Sequence, residues 1–336
     1  MMLRPRVFLT HTPDMLANYY GSRAVAALEE IAEVAVNPTG QHLDADALAA
    51  HAAGCAVIIS DRMTPGAAGF FDRAPDLVAF LRCAVDIRNV DVAAASRNGI
   101  LVTRATPGFA ASVAELAMGM MIDLARGVSA SVTAYRSGLA PAARMGRQLQ
   151  GSTVGIIGYG VIGQHLAKLA NAFGMTVLAS DPHKTIAEPG VRQVRAETLL
   201  GEADFVVCLA VATPETENLM EAAAFARMRP EAFFINLSRG NLVDEAALAE
   251  ALDAGRIAGA AMDVGRAPDQ MPTPELAGRP DIVATPHIGG LTPAAVEHQA
   301  FDTVGQVRAL LAGLTPPGAV NFADASRLAR LRAGGT

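Results

Sequence analysis

The chain has 336 residues, 51% of them hydrophobic and 18% charged, with a formal net charge of -6 at pH 7. That length holds two ordinary domains with ample interior, and the composition excludes a disordered chain. A mildly acidic protein also lacks the electrostatic footprint of a nucleic-acid binder, although backbone amides can still hold an anion locally.

Short apolar runs alternate with Ala/Leu-rich ones from the start of the chain. Strands are predicted at Arg6–Leu9, Glu33–Val36, Ala56–Ser60, Val78–Ala84 and Ile100–Thr103, with helices at Ser22–Ile31, Ala45–Ala53 and Val92–Asn98. This βαβα order needs crossover connections, which imply a parallel sheet covered by helices on both faces. A long helix is predicted from Ser112 to about Ser137, with Ser112 as its cap and Glu115 completing a capping box. After a polar loop at Gly138–Gly151 the alternation restarts, with strands at Thr153–Ile157, Thr176–Ala179, Phe205–Ala210, Phe233–Leu237, Gly259–Val264 and Ile282–Ala284. The helical run Thr292–Gly313 and the apolar stretch Ala319–Phe322 are too small to fold alone and are expected to return to the first unit. The predicted division is therefore 1–104 plus 290–336 for one domain and 105–289 for the other. Arg327–Arg332, with three arginines, reads as a frayed and solvated end.

With aromatic residues at 5% and no Trp, the interior must be built from Ala, Val, Leu and Ile. Cys55, Cys83 and Cys208 are far apart, without Cys-x-x-Cys or metal-ligand spacing, and read as reduced core thiols; no metal is expected. No apolar stretch reaches membrane-span length, and the opening MMLRPRVFLTHTPD turns polar too early for a secretory leader. The expectation is a cytoplasmic protein with no membrane or nucleic-acid partner.

The most informative stretch is Gly158-Tyr159-Gly160-Val161-Ile162-Gly163, because an apolar strand leads into it and a helix opens after Gly160. A second strand follows, with Asp181-Pro182 just beyond it, eighteen positions past Gly163. This is the context a dinucleotide site requires. Gly158 permits the tight turn, Gly160 lets the backbone approach a pyrophosphate, and Gly163 lets the helix pack on the strand. Asp181 is placed to accept from the adenosine ribose and to repel a 2′-phosphate, which favours NAD over NADP; His183 and Lys184 close behind partly offset that preference.

In an open α/β sheet, ligands bind beyond the carboxyl ends of the strands. Three strands here run into Ser238-Arg239-Gly240, Asp263-Val264-Gly265 and Thr285-Pro286-His287. Each residue alone has an ordinary structural reading: a helix-flanking arginine, a loop-capping aspartate, a core imidazole. Together they suggest chemistry, in which an Arg fork grips a carboxylate, a His moves a proton to or from a hydroxyl, and a nicotinamide carries the hydride.

At these residues the chain resembles the D-isomer-specific 2-hydroxyacid dehydrogenase family. The matching stretches are Asn89-Val-Asp91, Ser112-Val-Ala-Glu115, the glycine turn, Ile235–Gly240, Val243–Leu248 and Thr285–Gly290, in the family's order. The resemblance implies two doubly wound parallel-sheet domains, a Rossmann cofactor domain inserted into a flavodoxin-like substrate domain, and dimerisation through the cofactor domains. It also implies that Arg239 binds the substrate carboxylate and carbonyl, that His287 is the acid/base, and that Asp263 contacts the nicotinamide. Val211, Ser238 and Gly290 join the cofactor site on the same ground.

Three departures stand out. Where the family has a glutamate that pairs with the catalytic His, this chain reads Asp263-Val-Gly-Arg-Ala-Pro-Asp-Gln-Met-Pro272, leaving Asp269 as the nearest carboxylate and Gln270 as a neutral candidate. The family's glycine-rich substrate loop is Ala84-Val85-Asp86-Ile87-Arg88 here, and Arg88 with Arg62 is a candidate source of positive charge for a more acidic substrate. The family's His-x-Pro is replaced by Leu209-Ala-Val211, which alters the floor of the cofactor cleft. The favoured reading is an NAD(H)-dependent oxidoreductase acting on a small 2-hydroxy or 2-oxo acid, with Asp269 as the partner of His287. The alternative is a dinucleotide-responsive regulatory protein with impaired catalysis, and formate oxidation is a third option.

Overall fold

The computed structural model describes residues 4–333; the outermost positions of the predicted division, 1–3 and 334–336, lie outside the described residues. The chain forms two compact units, one running through Gly108 and resuming at Pro293, the other Phe109–Thr292.

In the first unit, β1 (Arg6–Leu9), β2 (Glu33–Val36), β3 (Val57–Ser60), β4 (Ala79–Arg82) and β5 (Leu101–Arg104) form a sheet of order β2-β1-β3-β4-β5. All its pairings are parallel, and the order is that of flavodoxin-like sheets. Alternate residues serve opposite faces. Val7, Leu9, Val57, Ile59 and Leu81 pack with Ala300, Val304, Val307 and Leu310 of the Pro293–Leu311 helix. Phe8, Ile58 and Phe80 pack on the other side with Leu48, Phe70 and Phe71. Continuous apolar runs such as Val57-Ile-Ile are what a sheet buried on both faces needs.

In the second unit, β6 (Thr153–Ile157), β7 (Thr176–Ser180), β8 (Val191–Gln193), β9 (Phe205–Cys208), β10 (Phe233–Asn236), β11 (Gly259–Met262) and β12 (Ile282–Ala284) form a parallel sheet of order β12-β11-β10-β9-β6-β7-β8. The direction of succession reverses between β6 and β9. Such a switch point opens a crevice at the carboxyl ends of the strands, where nucleotides bind.

Several expectations need correction. The predicted Ser112–Ser137 helix is two helices, Ala110–Arg126 and Val128–Arg136, separated by Gly127 at φ +64°. A left-handed glycine is the usual way a helix ends. Ser112 is not a cap: the helix starts at Phe109 without a side-chain cap, and the Ser112 hydroxyl meets Thr292 Oγ1 at 2.7 Å. Strand β8, on the sheet edge, is absent from the predicted strands, because Val191-Arg-Gln193 carries no apolar alternation. The strands predicted at Val78–Ala84, Phe205–Ala210 and Gly259–Val264 are shorter, since their apolar ends leave the ladder to build loops. The tail is anchored rather than frayed: Arg327 Nη1 donates to Ala74 O at 2.6 Å and Leu77 O at 3.0 Å, and Arg330 Nη1 to Pro75 O at 2.7 Å.

Candidate functional site

The glycine turn has the three geometries its spacing demands. Gly158 lies at φ +90°, and a Cβ there would sit 2.6 Å from the backbone of Ala210, at the exit of β9. A Cβ on Gly163 would fall 2.8 Å from Gly158 O, so only glycine lets the Val161–Ala172 helix close on the turn. A Cβ on Gly160 would meet nothing within 4 Å; the space above its backbone is open. Gly160 also starts the helix with no side-chain cap, which leaves the first N–H groups without a side-chain acceptor, as an anion site requires. These residues fit a dinucleotide's pyrophosphate.

Asp181 and Lys184 hold this turn from below. Asp181 Oδ2 accepts from Tyr159 N and Oδ1 from His183 N, both at 2.9 Å, and Lys184 Nζ donates to Tyr159 O at 2.9 Å. Pro182 is exposed, as are Val161 and Val211, and Ser238 Oγ donates to Ala210 O, tying the exit of β10 to that of β9.

The exits of the neighbouring strands β10, β11 and β12 bring Arg239, Asp263 and His287 to the same sheet edge. A continuous set of contacts joins them. Asn236 Nδ2 donates to Arg239 O at 3.0 Å, and Arg239 Nη1 to Ser238 O at 2.7 Å. Gly240 touches Gly265 so closely that a Cβ would fall 2.0 Å from Gly265 O. Gly265 N donates to Gln270 O at 2.8 Å, and His287 Nδ1 lies 2.7 Å from Asp269 O. Buried Asp263 braces the histidine loop: Oδ1 accepts from Thr285 Oγ1 at 2.6 Å and Ile288 N at 2.8 Å, and Oδ2 from Gly289 N at 2.7 Å. A Cβ on Gly289 would sit 2.8 Å from Asp263 Oδ2, whereas Gly290 packs beside Phe109.

The His287 contact uses the main chain of Asp269, not the carboxylate assigned to it from the sequence. Asp269 and Gln270 both adopt left-handed φ, +57° and +60°, which turns that carbonyl toward the imidazole. A carbonyl oxygen can only accept, so Nδ1 carries the proton and Nε2 is the nitrogen left to exchange one. Gln270, the neutral alternative, has its Oε1 buried without a hydrogen-bond partner.

Sequence reading missed the residues that frame these loops. Arg266 donates to Val243 O, Asn241 O, Asn218 Oδ1 and Glu217 Oε1, and Glu245 accepts from Arg266 N and Thr273 Oγ1, each at 3.0 Å. Glu245 lies in the matching stretch Val243–Leu248 and Arg266 just beyond Asp263, but nothing in the residue types alone shows that the two meet.

In the first unit, Arg62 follows β3, and its guanidinium carbon stands 5.5 Å from the centroid of the Tyr19 ring, within cation–π range. Val85, Asp86 and Arg88 follow β4. Arg88 is paired within its own loop: Nη2 and Nε bond to Asp86 Oδ2 at 2.6 and 3.0 Å, and its own N–H donates to Asp86 Oδ1 at 3.0 Å. The two residues are two apart in one turn, so this ion pair is local to the loop.

Among the described residues no cluster of His, Cys, Asp and Glu could hold a metal, and no helix is long and apolar enough to cross a membrane. The three cysteines are buried and free. The family model for the D-isomer specific 2-hydroxyacid dehydrogenase NAD binding domain matches residues 118–289. A D-3-phosphoglycerate dehydrogenase of Synechocystis sp. is 37% identical over 245 residues, 72% of this chain and 44% of that protein. The chain thus spans under half of that relative's length. A hydroxypyruvate reductase of Thermotoga maritima is 34% identical over 275 residues, covering 80% of this chain and 89% of the relative. The crystal structure of the TT0316 protein of Thermus thermophilus, 33% identical, superposes with a TM-score of 0.83 over 94% of this chain and 99% of its own. The chain belongs to the D-isomer specific 2-hydroxyacid dehydrogenase family, and its second unit carries that family's NAD-binding domain.

Proposed function

We propose that the protein transfers a hydride between NAD(H) and a small 2-hydroxy or 2-oxo acid. The observation that carries this reading is the contact of His287 Nδ1 with the Asp269 carbonyl, on the same sheet edge as Arg239 and the open glycine turn. Gly158, Tyr159, Gly160, Val161, Ile162 and Gly163 are assigned to the pyrophosphate, and Asp181 and Pro182 to the adenosine ribose, where the carboxylate disfavours a 2′-phosphate. Val211, Ser238, Asp263 and Gly290 are assigned to the nicotinamide half. When bound, the nicotinamide supplies or receives the hydride. Arg239 holds the substrate carboxylate and polarises the neighbouring carbonyl; His287 Nε2 delivers a proton to its oxygen in reduction and removes one from the hydroxyl in oxidation. Arg62, Val85, Asp86 and Arg88 are assigned to substrate recognition in the first unit. The Asp269 carbonyl, standing in for the family's glutamate, supports a working histidine over a purely regulatory cleft.

A homodimer is part of this reading, supported by Val128, Val132, Tyr135, Leu139 and Met145, five exposed apolar side chains in one segment of the second unit. Free, buried cysteines support a reducing, cytoplasmic setting.

The test is turnover of hydroxypyruvate with NADH and of D-3-phosphoglycerate with NAD by the parent and by His287→Ala. The variant is expected to lose between about 10²- and 10⁴-fold in kcat/KM while binding NADH with the affinity of the parent. Equal turnover by both proteins contradicts the assignment.

A further inference from the structure

The carboxyl edge of the first unit's sheet hides a guanidinium that the chemistry above does not use. Arg82, the last residue of β4, is 2% exposed. Its acceptors are almost all main-chain carbonyls of two different loops. Nη1 donates to Asp61 O, to Thr64 O at 3.0 Å and to Ser60 Oγ at 3.2 Å; Nη2 donates to Arg62 O; Nε donates to Asp86 O at 3.2 Å. Four of these partners belong to the exit of β3, the stretch that carries Arg62. The fifth is in the Ala84–Arg88 loop after β4. Asn89 Nδ2 adds a bond to Arg62 O at 3.3 Å, and Gly66 N one to Asn89 O at 3.0 Å, so the two loops meet along a seam.

We propose that Arg82 is a positioning residue for the substrate, its one guanidinium locking the loop of Arg62 to the loop of Val85, Asp86 and Arg88 and setting both in a single arrangement. The proposal rests on the assignment of those loops to substrate recognition. Three features favour it over a generic role in packing. The planar fork of an arginine offers five N–H groups in fixed directions, and here each nitrogen has a target; an ammonium has three donors and no fork. The bonds to Asp61, Arg62, Thr64 and Asp86 go to backbone oxygens, so they fix the course of the loops without engaging the side chains of Arg62 and Asp86. Asp61, the buried carboxylate that balances the charge, is already satisfied by Thr10 Oγ1 at 2.5 Å, Thr64 Oγ1 at 2.6 Å, Met63 N at 2.7 Å and Thr64 N at 3.0 Å. Arg82 is therefore directed at the loops rather than at its counter-charge.

The experiment compares the full-length parent with Arg82→Lys and Arg82→Met. Three quantities are read: amide hydrogen exchange in residues 61–66 and 84–89, KM and kcat for hydroxypyruvate, and NADH affinity by fluorescence. A control, Ile59→Val, loosens the same core without touching the loops. Arg82→Lys is expected to exchange faster in both loops together and to raise KM at least tenfold, with kcat and NADH affinity within threefold of the parent. Ile59→Val is expected to leave KM unchanged. Should Arg82→Met not fold, the lysine variant carries the comparison alone. The proposal is overturned if the loops keep the parent's exchange or respond singly, if KM moves less than threefold, or if kcat and NADH affinity fall together with stability. A parent that turns over no hydroxy or oxo acid refutes the functional reading instead, and the paired loop exchange still decides whether the clamp exists.

Discussion

At the scale of single residues, His11 makes the fold sensitive to acid. It follows β1, is 2% exposed, and its Nδ1 has no hydrogen-bond partner. Burial pushes its pKa down from 6.5 to about 4, against the upward pull of Asp61. A histidine neutral in the fold but free to protonate when unfolded favours the unfolded state in acid. Its contribution is complete above 6.5 and is lost as pH falls toward 4, a change of about 3 kcal/mol. Replacing His11→Gln should flatten that part of the stability profile, which urea unfolding at pH 7 and pH 5 would reveal; an unchanged slope would place the acid sensitivity elsewhere. Nothing in the sequence around His11 announces this burial. The residues that sequence does reveal are those whose chemistry is tied to a place in the topology. Arg239, Asp263 and His287 stand out because each follows a strand, and the structure puts all three exits on one sheet edge. The acceptor for His287 is hidden for the opposite reason. A main-chain carbonyl belongs to every residue, and only the left-handed turn at Asp269 and Gln270 makes this one special.

At the scale of elements, hydrophobic alternation locates most of the strands of both sheets, because a parallel sheet buried on two faces writes itself as compact apolar runs between helices. The exceptions have physical causes. Strand β8 lies on an edge and buries almost nothing. The break at Gly127 lies inside a run that is helical by propensity on both sides, and one glycine does not announce whether it will bend the chain or merely weaken it. Here it adopts φ +64°, with open space where a Cβ would go. Gly127→Ala should therefore destabilise by about 1–2 kcal/mol through backbone conformation alone. Chemical denaturation would show this as a lower midpoint with an unchanged slope; a variant as stable as the parent would mean that the two helices can fuse.

At the scale of the whole molecule, the Val128–Arg136 helix and the loop behind it display apolar side chains that nothing in the described chain covers, Tyr135 at 69% and Met145 at 101% exposure. Exposed apolar residues gathered in one segment mark an interaction surface. Light scattering is expected to report a dimer, and the pair Tyr135→Glu with Met145→Glu to shift it toward monomer at micromolar concentration. A parent that runs as a monomer removes the dimer from the functional reading. The interleaved order of the two units has a consequence for synthesis. Ala300, Val304, Val307 and Leu310, which cover one face of the first sheet, come from beyond the end of the second unit. As the chain leaves the ribosome, the inserted unit can complete itself first, whereas strands β1–β5 wait with a bare greasy face until residues past Thr292 have been translated. Through that interval the nascent polypeptide carries uncovered apolar surface, the condition that favours aggregation.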